Sequence, residues 1–185
     1  VAALRAGATG MLCVASRCEH YDGAQSYHDH NWGVWRGVTW DWGSARAGEY
    51  SILDGRVNPP DSLESSSSLF LILVDSLGFR AIFRPQAIAY EDGRTVRVSG
   101  REIRVPSRGV MVDVRGSDTL RVELEVEDAT ATDMRDPAAG RGDATSATDL
   151  ARPYFVQMKG VARVSGRVGG ARVSGVGTGF FETYR

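Results

Sequence analysis

Leu120-Arg121-Val122-Glu123-Leu124-Glu125-Val126-Glu127 alternates apolar and charged residues without a break. A period of two puts every apolar side chain on one face of an extended strand and every charge on the other. That is the mark of a strand in an antiparallel sheet with one buried face. Val96-Arg97-Val98 and Val110-Met111-Val112-Asp113-Val114 follow the same rule. Turn signals separate these runs at Asp92-Gly93, Ser107-Arg108-Gly109, Gly116-Ser117-Asp118 and Gly169-Gly170. Many strands at short spacing predict an all-β fold, an antiparallel barrel or sandwich. The pattern offers no amphipathic helix.

The expected strands include 10–16, 18–30, 37–46, 48–54, 94–105, 118–127, 154–166 and 171–184. Two stretches break the alternation. Asn58-Pro59-Pro60 through Ser68 reads as a Pro/Ser loop. Residues 129–152 are small, polar and rich in Gly, Ala and Asp, and read as a mobile loop or a flap over a binding site. Gly175-Val176-Gly177-Thr178-Gly179 would let a closing strand bend sharply. The 185 residues are expected to form a single domain over 1–185.

A formal net charge of -1 gives no reason to expect nucleic acid or an anionic membrane surface as a partner. The longest apolar run, Leu69 to Val74, is strand length and far short of a helical membrane span. No transmembrane segment is expected, and the location is expected to be cytoplasmic or membrane-peripheral. Cys13 and Cys18 make no disulfide framework. Buried free thiols are the expectation, with a bridge the alternative if they face each other across a hairpin. No metal and no cofactor is expected, because His28-x-His30 lacks an evident third ligand and no phosphate or dinucleotide fingerprint is present.

The rarest residue types cluster. All three histidines lie between positions 20 and 30, and all four tryptophans between 32 and 42. On an extended strand His28, His30 and Trp32 share one face, and Tyr27, Asp29 and Asn31 the other. Trp40 and Trp42 share a face opposite Asp41. Indoles offer apolar contact and a π-face that stabilises positive charge. An imidazole moves protons near neutral pH. A desolvated Asp29 or Asp41 would keep its proton and act as an acid. These are the parts needed to protonate an alkene, hold the cation and direct water onto it. They equally suit a carrier that holds a polyene without reacting.

Gly23-Ala24-Gln25-Ser26-Tyr27-His28-Asp29-His30-Asn31-Trp32-Gly33, followed by Trp40-Asp41-Trp42, resembles the carotenoid 1,2-hydratase (hydroxyneurosporene synthase) family and its AttH-like relatives. Gly179-Phe180-Phe181-Glu182-Thr183 resembles that family's closing strand. The resemblance implies a lipocalin-like barrel. It implies a hydrophobic ligand, an isoprenoid such as a carotenoid or a polyketide, and hydration or cyclisation by acid–base chemistry. On this reading His30, Asp29 and Asp41 are the catalytic candidates. Tyr27, His28, Trp32, Trp35, Trp40 and Trp42 are the ligand-binding ones. Family members are about twice as long, and the resemblance covers their C-terminal half. An N-terminal partner domain or a larger complex is therefore an expected partner. Two further readings stand beside the enzyme: a lipophilic-ligand or pigment carrier, and an accessory subunit of a larger, conceivably photosynthetic, assembly.

Overall fold

The computed structural model describes residues 3–32, 37–59, 68–135 and 152–185. Thirteen β-strands and no helix occur among them. The chain divides into two compact units, Val1–Val34 and Trp35–Arg185.

The first unit is a hairpin. β1 (Ala3–Val14) pairs antiparallel with β2 (Arg17–His28). The ladder is interrupted where Thr9 faces both Asp22 and Gly23. Gly23 takes φ +64° there and donates its N–H to Thr9 Oγ1 at 3.2 Å. A left-handed φ is open to glycine without steric cost. The turn uses Ala15 at φ 52°. The resulting register sets Cys13 directly opposite Cys18, with Cα atoms 4.1 Å apart, and a disulfide joins them. The expectation of free thiols is therefore corrected. Directly opposed residues bring their Cβ atoms together, a relation that depends on the turn position and is invisible in the CxxxxC spacing. β2 ends at His28, two residues before the expected limit at His30.

The second unit contains one nine-stranded antiparallel sheet, in the order β6-β5-β4-β3-β13-β12-β11-β10-β7. Its members are β3 (Thr39–Ala47), β4 (Tyr50–Asn58), β5 (Phe70–Asp75), β6 (Gly78–Phe83), β7 (Ala89–Glu91), β10 (Arg108–Arg115), β11 (Asp118–Asp133), β12 (Tyr154–Val168) and β13 (Ala171–Tyr184). Along β11, Leu120, Val122, Leu124 and Val126 are buried, as the alternation predicts. They share the core with Met158, Ala162 and Val164 of β12, Phe181 of β13, and Ile52, Leu71 and Leu73 from the other side of the sheet.

The sheet curls until β6 meets β10. The Arg84 N–H donates to Asp113 Oδ2 at 2.7 Å, and Arg115 Nη1 donates to the Ile82 carbonyl at 3.1 Å. Side-chain bonds thus span the gap between the two strands. The short β7 pairs with β10 through Arg108–Val110.

Two expectations need revision. Residues 94–105 are two strands, β8 (Arg94–Val98) and β9 (Arg101–Val105), rather than one. Ser99 and Gly100 turn between them with φ of 48° and 78°, the paired positive values of a tight hairpin turn. Val98 and Val105 of this hairpin are buried, and Val96 and Ile103 pack against the core. Residues 129–133, expected at the start of a loop, continue β11 and pair with Tyr154–Met158. A bulge between Val126 and Asp128 resets the phase, and Ala129 and Ala131 then pack on the core. The rest of the expected loop, 136–151, lies outside the described residues.

Gly175 and Gly177 sit where β13 and β3 approach closely, and Gly179 makes room for the Phe181 ring. A Cβ on Gly177 would overlap the Arg46 carbonyl, and one on Gly175 the Ala47 carbonyl. Backbone cannot yield as a side-chain tip can. Gly177→Ala is therefore expected to cost about 1–3 kcal/mol, read as a fall of several degrees in melting temperature by scanning calorimetry.

Candidate active site

β3 and β4 place ionisable groups where alternation normally places apolar ones. Asp41, Gly43, Ala45 and Ala47 point inward from β3, and each is buried. In the β3–β4 register Asp41 faces Arg56 and Gly43 faces Asp54. Directly opposed residues point to the same side of a sheet. Asp41, Asp54 and Arg56 therefore project together into the interior.

Asp41 is 2% exposed. Its Oδ2 accepts from Arg56 Nη2 at 2.6 Å, Arg56 Nε at 3.1 Å and Asn58 Nδ2 at 3.5 Å. Its Oδ1 accepts from Thr183 Oγ1 at 2.7 Å and from the Tyr90 hydroxyl at 3.3 Å. Both oxygens are supplied with donors, and the Arg56 guanidinium balances the charge.

Asp54 is the opposite case. It is fully buried, and neither carboxyl oxygen finds a hydrogen-bond partner among the described residues. Gly43 makes room for it, since a Cβ there would stand 2.5 Å from Asp54 Oδ1. Burial first, and then the charge of Asp41, push the Asp54 carboxyl up to about 8. At neutral pH it keeps its proton. Tyr90 is also raised, by burial and then by the charges of Asp41 and Asp54, so its hydroxyl stays protonated and donates to Asp41. The Tyr90 ring borders an open hollow of about 440 Å³, lined also by Ile88, Asp92, Arg152, Tyr184 and Arg185.

The residues singled out in the sequence are distributed as follows. Trp40 and Trp42 lie on the face of β3 opposite Asp41. Trp40 packs on Tyr184 and Phe155, at ring-centroid distances of 5.0 and 5.6 Å, and its indole N–H donates to Glu182 Oε2 at 3.1 Å. Trp42 meets Phe70 edge-on at 5.7 Å. Gly55 leaves space for that pair, because a Cβ there would stand 2.6 Å from each ring. In the first unit the Tyr27 hydroxyl donates to Asp29 Oδ2 at 2.7 Å and Asn31 Nδ2 to the same oxygen at 3.3 Å. His28, His30 and Trp32 are exposed there. The His30 and Trp32 rings meet edge-to-face at 5.3 Å. Trp35 lies outside the described residues.

Of the residues gathered here, Asp41 stands out in the sequence, whereas Asp54, Arg56, Thr183 and Tyr90 do not. A signal existed for two of them. In Ile52-Leu53-Asp54-Gly55-Arg56, Asp54 and Arg56 fall on the same phase as the core residue Ile52. Among the described residues no three His, Cys, Asp or Glu side chains form a metal-sized cluster.

No family model and no curated protein matches the chain. Among solved structures it is similar to kievitone hydratase from Nectria haematococca, at 17% identity and a TM-score of 0.49, over 95% of this chain and 49% of that one. It is also similar to an AttH-like protein from Nitrosomonas europaea, at 16% identity and a TM-score of 0.43, over 94% of this chain and 48% of that one. The chain thus spans about half the length of these structures. Identity this low speaks to neither substrate nor reaction, and the chemistry of the site rests on its own geometry.

Proposed function

We propose that the protein binds a hydrophobic, unsaturated molecule, of isoprenoid, carotenoid or polyketide type, and hydrates or cyclises it by acid–base chemistry with Asp54 as the acid. The observation that carries this reading is the fully buried Asp54 carboxyl, without a hydrogen-bond partner among the described residues and pushed up to about 8, beside the arginine-paired Asp41. Two carboxyls in contrasting environments are a recurring acid–base arrangement. Asp54 gives its proton to one alkene carbon, and the neighbouring carbon becomes cationic. Asp41 contributes fixed negative charge to the same interior. Water then adds to the cation and returns a proton to the Asp54 carboxylate, so the net change is addition of one water. In cyclisation a second double bond replaces the water, and the proton lost in closing the product restores Asp54.

Asp54→Asn is expected to abolish turnover while leaving ligand binding within about twofold, since removing an essential general acid costs 10² or more in rate. The measurement is product formation from an acyclic polyene in ¹⁸O-labelled water, by mass spectrometry of extracted lipids. Label incorporation that persists undiminished in Asp54→Asn would remove Asp54 from the mechanism. A ligand that co-purifies but is never converted would make the protein a carrier. The resemblance gives catalytic roles to His30 and Asp29. In the same assay His30→Ala is expected to abolish turnover and spare binding, and unchanged turnover would exclude it.

A further inference from the structure

The hollow beside Tyr90 has an electrostatic character that the acid chemistry does not use. Two arginines and one aspartate line it. Arg185 Nη2 donates to Asp92 Oδ1 at 3.2 Å and Nη1 to the Tyr184 carbonyl at 3.4 Å, while its guanidinium lies 4.7 Å from the centre of the Tyr90 ring. Each terminal nitrogen keeps a second hydrogen to donate, and Nε is buried with no acceptor among the described residues. Arg152 is exposed and makes no ion pair among the described residues. Of the described side chains that line the hollow, two are cationic and one is anionic. Ile88 and the aromatic residues Tyr90 and Tyr184 complete the lining. At about 440 Å³ its size falls within the range of small-molecule sites.

We propose that this hollow is a subsite for an amphiphilic anion, a carboxylate joined to an apolar body, with Arg152 and Arg185 holding the acid group. The carboxylate accepts from the guanidinium donors, a charge-assisted arrangement. The apolar body lies along Ile88 and the Tyr90 ring. Tyr90 links the subsite to Asp41 through its hydroxyl. As a statement about the substrate, the proposal rests on the acid-site reading. As a statement about binding, it is tested without turnover.

The test is fluorescence titration of the full chain with two probes sharing one aromatic skeleton. 8-Anilinonaphthalene-1-sulfonate carries an anion, and N-phenyl-1-naphthylamine lacks it. The sulfonate is expected to bind about tenfold more tightly at low salt, with the advantage shrinking as salt is raised. Octanoate should displace it and octanol should not. Arg152→Gln is expected to bring the two probes within about twofold and to leave the neutral probe unchanged. Arg185→Gln should do the same. Arg185→Lys, which keeps the charge, should retain part of the preference if the glutamine variant fails to fold. Equal binding of the two probes, binding of neither, or a preference that survives Arg152→Gln would overturn the proposal. Asp54→Asn should leave the preference intact, so loss of turnover in that variant leaves the subsite standing.

Discussion

Replacing Asp54 with asparagine is expected to stabilise the folded protein by on the order of 4 kcal/mol at pH 7. The Asp54 carboxyl rises from 3.8 to about 8 on folding. Between those values the folded state holds a proton that the unfolded state has released. Stability therefore falls as pH rises through this window, by about 1.4 kcal/mol per unit. The full contribution is present below about pH 4, where both states are protonated, and the loss is complete above about pH 8. Asparagine keeps the shape of the neutral acid and cannot ionise. Denaturant midpoints followed by circular dichroism at pH 5, 6, 7 and 8 should diverge steadily between the two proteins. Parallel curves would mean that Asp54 ionises normally inside the barrel, and its role as an acid would fall with that result. A buried acid that weakens the fold at working pH is the kind of cost found at functional sites.

Arg56→Met is expected to be the most damaging change near the site, at about 3–5 kcal/mol. The Arg56 side chain is 22% exposed and that of Asp41 only 2%. Methionine preserves much of the packing but strands the Asp41 charge in the interior. Thr183, Tyr90 and Asn58 still donate to Asp41, yet none of them brings a positive charge. For a chain of this length the loss corresponds to a fall of roughly 10 °C in melting temperature. Adding Asp41→Asn should recover most of it, because the neutral pair needs no counter-ion. A double variant as unstable as the single one would show that packing, not charge, is what Arg56 supplies.

The strands were legible because their alternation is a direct image of burial. Leu120 to Val126 reads the same in sequence and in the core. The turn at Ser99-Gly100 does leave a trace, because the apolar residues fall on even positions before it, Val96 and Val98, and on odd positions after it, Ile103 and Val105; the trace is two residues long on each side and easily read as one strand. Residues 129–133 were missed because alanine and threonine on β11 lack the contrast that marks the charged half of the same strand. The Tyr27–Gly33 string drew attention as a rare cluster, whereas Asp54 is a common residue in an ordinary strand. What sets it apart is what faces it: Gly43, the Asp41–Arg56 pair across the β3–β4 ladder, and an interior whose described residues offer it no donor. Those are properties of register, and register is not written in either strand alone.

The Arg84–Asp113 and Arg115–Ile82 bonds between β6 and β10 give the second unit a zipper line. Elsewhere the curled sheet is laced by long ladders such as β11–β12 and β12–β13, and parting those would expose the core. Parting the zipper costs far less, because two side-chain bonds break and every ladder stays whole. Amide protons of β6 and of Asp113–Arg115 should therefore exchange well before those of β12. One edge of the curled sheet can then open by a local fluctuation while the rest stays folded, which would give a ligand of the proposed kind a route to the interior that needs no permanent opening.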